Sequence, residues 1–213
     1  MSYAGIFRVL LIGLVISMVL IGIRHARDNY IPPSISFVNQ GNNGERIMKI
    51  VLITKNEAPL IRSWVLYHGD IFGFNNLHIV DLDGALTGET VNLNTISEIV
   101  NKFDLNVEIG GGIRNFENIQ KYVDVGVEMV ILGSAAIKDK NFLKKACQSY
   151  SNKIALGLDS RDGYLSLSGW RENSNQLCID YLKQVNDYGF SRLIYTDINR
   201  DGTKEGPNFE DTK

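Results

Sequence analysis

From residue 47 onward, short apolar runs alternate with segments whose apolar residues recur every three or four positions. The runs 49–54 (KIVLIT), 77–82 (LHIVDL), 107–110 (VEIG), 129–133 (MVILG), 154–159 (IALGLD) and 192–197 (RLIYTD) are predicted strands. They read as continuous hydrophobic runs, as parallel strands covered on both faces do. Between them, 58–71, 95–103, 116–125, 141–150 and 175–188 have the periodicity of helices. Repeated βα units predict an α/β fold on a parallel sheet, either doubly wound or a (βα)8 barrel.

Two unlike stretches precede this part. Residues 9–23 (VLLIGLVISMVLIGI) contain one polar residue, Ser17, and extending back to Ala4 adds one charge, Arg8. That is about the 20 residues that span a bilayer. No small-x-small cleavage site follows; the chain continues Arg24-His25-Ala26-Arg27. Residues 1–27 are therefore predicted to be a transmembrane anchor, touching the membrane through residues 4–23, rather than a signal peptide. With the anchor retained the protein would be membrane-tethered, and the rest would be cytoplasmic. Residues 28–46, with Pro32-Pro33, Gly41 and several Asn and Gln, are predicted to be a linker.

Composition narrows the function. The 213 residues carry 22 Lys+Arg and 24 Asp+Glu, a net charge of −2, without the basic footprint of a nucleic-acid binder. Cys147 and Cys178 are too few for a disulfide scaffold, and three histidines without a Cys-x-x-Cys argue against a zinc site. Small-molecule chemistry on an α/β scaffold remains.

In either α/β fold, functional groups gather at the carboxyl ends of the strands. Those ends carry Asp81-Leu82-Asp83-Gly84, Gly110-Gly111-Gly112-Ile113-Arg114, Gly133-Ser134-Ala135-Ala136, Asp159-Ser160-Arg161-Asp162, and Thr196-Asp197 leading to Asp201. Glycines there let backbone N–H groups approach a phosphate, and two such loops on neighbouring strands can cradle one. Plain βα turns would use glycine as well.

The strings LHIVDLDGALTGETVNLNTISEIV, EIGGGIRNFENIQ, VILGSAAIKD, IALGLDSRDGYLSLSGWRENS and LIYTDINRDGTKEGPN resemble the phosphoribosylformimino-5-aminoimidazole carboxamide ribotide isomerases of histidine biosynthesis. The resemblance runs from Leu77 to Lys213. It implies a (βα)8 barrel and an Amadori rearrangement of an aminoaldose to an aminoketose, with no metal and no organic cofactor. It implies a ribonucleotide substrate bearing two phosphates. On this resemblance Asp159 is the acid, assisted by Thr196. Gly111, Gly112, Gly133 and Ser134 belong to one phosphate site. Arg114 and Trp170 are substrate contacts, and Asp83 and Asp201, with Asp81, are polar ligands or turn caps.

Two departures qualify this. The family's first strand ends in an aspartate that acts as base, whereas KIVLITKNE places Thr54 there. The sequence also stops after the sixth strand's loop, so strands 7 and 8, with the second phosphate site, are not seen and little turnover is expected. About six βα units make only a partial (βα)8 barrel, with two open sheet edges. Separately, KIVLITKNEAPLIRSWVLYHGDIFGFNNLHIVD resembles the start of a membrane-anchored glycosyltransferase. This suggests a chimeric junction, with a foreign first βα unit over 47–76 and an isomerase-like part over 77–213. The alternative function is a membrane-tethered glycosyltransferase in which Asp81 and Asp83 form a metal-binding Asp-x-Asp.

Overall fold

The computed structural model describes residues 9–11, 34–38, 47–54, 76–103, 105–201, 203 and 208. Its strands are β1 (Val9–Leu11), β2 (Ser34–Val38), β3 (Ile47–Thr54), β4 (Asn76–Asp81), β5 (Asn106–Gly110), β6 (Met129–Leu132), β7 (Ile154–Arg161), β8 (Tyr164–Leu167), β9 (Glu172–Leu177) and β10 (Arg192–Asp197). Its helices are α1 (Leu82–Thr87), α2 (Leu93–Lys102), α3 (Phe116–Asp124), α4 (Ser134–Lys138), α5 (Lys140–Ser149) and α6 (Cys178–Val185).

Caps and apolar stripes account for the helices. The Asn115 side chain accepts from the Asn118 N–H at 2.8 Å and opens α3. The Asp139 carboxylate accepts from the N–H groups of Asn141 and Phe142, at 2.9 and 3.1 Å, and opens α5. Along α5 the buried residues are Phe142, Leu143, Ala146 and Cys147, one stripe facing the sheet.

The sheet runs in the order β1-β10-β7-β6-β5-β4-β3-β2, and every neighbouring pair from β1 to β3 along it is parallel. β2 joins β3 antiparallel, and β7 continues into the antiparallel pair β8–β9. The two faces of the sheet bury different sets. Leu77, Ile79, Val107, Ile109, Leu156 and Leu158 point to the helix layer and pack with Ile96, Ile119, Tyr122 and Tyr181. Met129, Ile131, Ala155 and Ile194 form a second cluster on the opposite face. His78, Glu108 and Arg192 share that opposite face by alternation along their strands.

That second face is concave. Arg192 on β10 forms an ion pair with Glu108 on β5, across two intervening strands. In a flat sheet those strands would lie roughly 14 Å apart, so the sheet curls to bring them together. A curled, mostly parallel βα sheet with helices on its convex side is consistent with part of a (βα)8 barrel.

The six expected strands are all present within about two residues of their predicted limits. Four expectations need correction or lie elsewhere. Within the apolar run 9–23, Val9–Leu11 is extended and pairs with β10, where a transmembrane helix was expected. The physical reason is that the open edge of β10 offers unpaired backbone groups, which an apolar extended segment satisfies. The rest of residues 1–27 lies outside the described residues, and no helix among the described residues is long and apolar enough to cross a membrane. β2 lies within the expected linker, its SISFV alternating as a strand paired on one side does. The expected helix 58–71 lies outside the described residues. The helix expected over 175–188 starts at Cys178, because residues up to Leu177 are held extended in β9 by pairing with β8.

Candidate active site

Side-chain alternation decides which strand-end groups reach the concave face. On β7, Leu156 and Leu158 face the helices, so Gly157 and Asp159 face inward. On β10, Leu193 and Tyr195 face the helices, so Ile194 and Thr196 face inward. Thr196 and Asp159 are register partners on these adjacent parallel strands. Both predicted catalytic residues therefore meet at one rim of the sheet.

Their chemistry is linked. The Thr196 hydroxyl and the Trp170 side chain both hydrogen bond to the Asp159 carboxyl. An indole has only its N–H to offer, so Trp170 donates. Burial pushes the Asp159 carboxyl above the ordinary carboxylate range; the bonds from Trp170 and Thr196 oppose this, and the nearby charge of Asp201 adds to it. Asp201 is half-buried at the turn after β10, where its N–H donates to the Asp197 carbonyl at 2.8 Å. Asp159, Thr196, Trp170 and Asp201 thus form one cluster.

Trp170 arrives from the turn between β8 and β9. Ser168, Gly169 and Trp170 all have left-handed backbone, with φ of 56°, 65° and 68°. For Ser and Trp that conformation is uncommon and is held by the surroundings. Sequence reading missed this hairpin because both strands are short and β9 is largely polar. A partial signal was present one turn earlier: Asp162-Gly163, with φ of 53° and 81°, is a tight turn of the kind Asp-Gly favours, and it joins β7 to β8.

Of the two roles expected for Asp81, polar ligand or turn cap, the structure shows the cap, and the pair Asp81–Asp83 is not arranged around an empty metal position. Asp81 is fully buried on the helix side. Its carboxylate accepts from the Gly84 N–H at 2.9 Å, the Asn92 amide at 2.8 Å and the Tyr122 hydroxyl at 3.4 Å. It caps α1 and ties that helix to α3. Asp83 accepts from the same Asn92 amide at 3.2 Å. An amide donor sits between the two carboxylates where an Asp-x-Asp would place a cation, which removes the basis of the glycosyltransferase alternative. Among the described residues there is no group of three or more His, Cys, Asp or Glu side chains placed to hold a metal ion.

The two glycine loops also differ from each other. An added Cβ would lie 2.2 Å from the Asp81 carbonyl oxygen at Gly111 and 1.8 Å from that of Gly84 at Gly112. Both have positive φ, 109° and 72°. Backbone packing against the 81–85 turn thus requires these glycines whether or not a ligand binds. Arg114 donates to the Ala85 carbonyl at 2.8 Å and lies against Gly88, so its guanidinium braces α1. At Gly133 there is no such clash: an added Cβ would meet only the Gly157 carbonyl oxygen, at an ordinary contact distance of 3.8 Å. Next to it the Ser134 hydroxyl accepts from the Ser168 N–H at 2.8 Å. Thr54 ends β3 in register with Asp81, and residues 47–54 contain no carboxylate.

These features define a class, a curled parallel βα sheet whose strand carboxyl ends hold an acid, a hydroxyl and glycine turns on one rim. The sequence profile of the family described as histidine biosynthesis protein matches residues 58–213, and the chain belongs to that family. The 1-(5-phosphoribosyl)-5-((5-phosphoribosylamino)methylideneamino) imidazole-4-carboxamide isomerase of Pelagibacter ubique is 76% identical over 140 residues, covering 66% of this chain and 59% of that protein. The Clostridium novyi protein of the same name is 44% identical over 138 residues, covering 65% and 58%. That of Listeria welshimeri is 44% identical over 155 residues, covering 73% and 63%. The chain therefore spans less than two thirds of each of these relatives. The family match begins at residue 58, inside the segment that resembles a glycosyltransferase, and neither the profile nor these relatives support a foreign first unit there.

Proposed function

We propose that the site carries out the isomerisation named in these relatives, converting a phosphoribosyl aminoaldose to the aminoketose. One observation carries this reading: Asp159 and Thr196 are register partners at the carboxyl ends of adjacent parallel strands, where burial pushes the Asp159 carboxyl above the ordinary carboxylate range. A carboxyl whose ionised form is disfavoured by burial is suited to donate a proton. Asp159 would protonate the ribose ring oxygen, opening the ring to an imine. Loss of the proton from the second sugar carbon then gives the enol, which becomes the ketone. Thr196 steadies the carboxylate that Asp159 becomes, and the Trp170 ring offers a face against the substrate.

The Gly133–Ser134 turn is the better of the two glycine loops for a substrate phosphate, since no backbone atom presses on Gly133 as on Gly111 and Gly112. Gly111, Gly112 and Arg114 would shape that pocket indirectly, by fixing the neighbouring turn. The proton at the second carbon needs a base facing Asp159. β3 carries no carboxylate, so the chain by itself should turn over slowly.

The test is growth of a histidine auxotroph lacking this isomerase. The chain fused to the segments of the Pelagibacter relative that it does not cover, including that relative's first strand, should restore growth, and the same fusion with Asp159→Asn should not. Equal growth of both fusions would overturn the assignment of Asp159.

A further inference from the structure

The turn that delivers Trp170 is fastened mainly by Lys138, Ser168 and Glu172, which have no place in the chemistry above. The Lys138 ammonium at the end of α4 lies 3.1 Å from the Glu172 carboxylate at the start of β9 and donates to the Ser168 hydroxyl at 3.2 Å. The Ser168 hydroxyl donates to Glu172 at 2.9 Å. The Ser168 N–H donates to the Ser134 hydroxyl at 2.8 Å, and the Arg171 N–H closes the turn on the Leu167 carbonyl at 3.1 Å. Three left-handed residues in a row, one of them Trp170, do not hold such a path unaided. The fastening comes from α4 and β9, the two elements that flank the turn.

We infer that Lys138 and Glu172, acting through Ser168, form a charge-dependent latch that fixes the 168–171 turn and so seats Trp170 on Asp159. They are positioning residues: neither contacts Asp159 in the described structure, and both act by where they hold the indole. Lys138 and Glu172 are each about half exposed, with side-chain exposures of 51% and 53%. Exposed ion pairs are weak and are screened by salt, so the latch is reversible and lets the turn open for a ligand and close again. The Ser168 hydroxyl and the Lys138 ammonium hold the Glu172 carboxyl below its usual value. The meaning of the latch for turnover rests on Asp159 being the acid proposed above; the latch itself does not.

The experiment uses the full chain with Trp64→Phe, which leaves Trp170 as the single tryptophan. Acrylamide quenching of its fluorescence reads how far the turn is open. Lys138→Met and Glu172→Gln should each raise the open-to-closed ratio about 1.5- to 5-fold, the range expected for an exposed pair. Raising NaCl from about 0.05 M to about 1 M should do the same in the parent and little in either variant, since screening shortens to about 3 Å. The double variant should match the singles, and Lys138→Arg should stay close to the parent. Quenching that is equal in parent and variants at both salt concentrations would overturn the latch. So would variant quenching that still rises with salt as the parent's does. If the latch behaves as described while the Asp159→Asn fusion still restores growth, the function assignment fails and the latch stands.

Discussion

Asp159 and Thr196 stand opposite each other in the β7–β10 register, and the threonine side chain hydrogen bonds to the carboxyl it faces. Because the strands are parallel neighbours, this pairing is set by backbone hydrogen bonds rather than by loop geometry. Burial favours the neutral acid, and the hydroxyl favours the ionised form. The two influences act on one proton, so the sheet register helps decide how readily that proton can be given away.

Replacing Asp159 should separate activity from stability. Asp159→Asn in the active fusion should lower turnover by about 10²- to 10⁴-fold, the usual contribution of a positioned acid. Its effect on stability has the opposite sign. The carboxyl's pKa is raised on folding, so the folded state holds the proton longer than the unfolded state does. That contribution is fully present below the unfolded value of about 3.9 and is lost as pH rises through the folded value. The melting temperature of Asp159→Asn minus that of the parent should therefore grow as pH rises through that interval and then level off. A difference that stays flat from pH 3 to 8 would contradict the raised pKa.

Thr196→Val keeps shape and removes the hydroxyl. The bond that lowers the Asp159 pKa disappears, so the carboxyl moves further up, and the limb of the pH–rate profile on which activity falls with rising pH moves up with it. A hydrogen bond to a charged group of ordinary strength corresponds to a loss of about 10- to 100-fold in turnover. Thr196→Ser should recover most of it. A pH–rate profile of Thr196→Val that superimposes on the parent's would remove Thr196 from the mechanism.

What the sequence made legible follows from where information is local. The strands ending in Asp159 and Thr196 are apolar runs of ordinary length, and strand-end placement brings both residues to one rim without further knowledge. Trp170 could be suspected from family resemblance, but its donation to Asp159 depends on a hairpin whose strands are only four and six residues long, the second of them largely polar. Asp81 stays ambiguous in the sequence because an acid at a strand end reads the same whether it faces the concave side or the helices. The distinguishing partners, Asn92 and Tyr122, lie 11 and 41 residues away in sequence. Gly111 and Gly112 stay ambiguous for a similar reason: a glycine needed for backbone packing cannot be told by sequence alone from one needed for phosphate.

Gly112→Ala tests that packing directly. The new Cβ would enter the Gly84 carbonyl oxygen, and the backbone there is left-handed. Neither the oxygen nor the turn has a cheap way to move, because Asp81 caps α1 from the same turn. The expected cost is on the order of 3 to 5 kcal/mol, in the range reserved for steric and special-backbone sites. Chemical denaturation of the two proteins measures it. A loss below about 0.5 kcal/mol, the size of an ordinary surface change, would mean that the turn is not packed as described.

The floor of the concave face offers the last test, through Glu108 and Arg192. The Glu108 side chain is almost wholly buried, at 6% exposure, with Arg192 paired to one oxygen and His78 Nδ1 3.3 Å from the other. Removing one partner of a buried pair leaves the other charge in a poor solvent, which typically costs about 3 to 5 kcal/mol. Arg192→Met should therefore be strongly destabilising. Glu108→Leu together with Arg192→Met removes both charges, leaves apolar volume beside Met129 and Ile194, and should recover much of the loss. The pattern matters more than either number: a double variant more stable than Arg192→Met shows that the pair is there to satisfy buried charge. A double variant as unstable as the sum of its singles would show that Glu108 and Arg192 act independently, and that the sheet does not curl far enough to join β5 to β10.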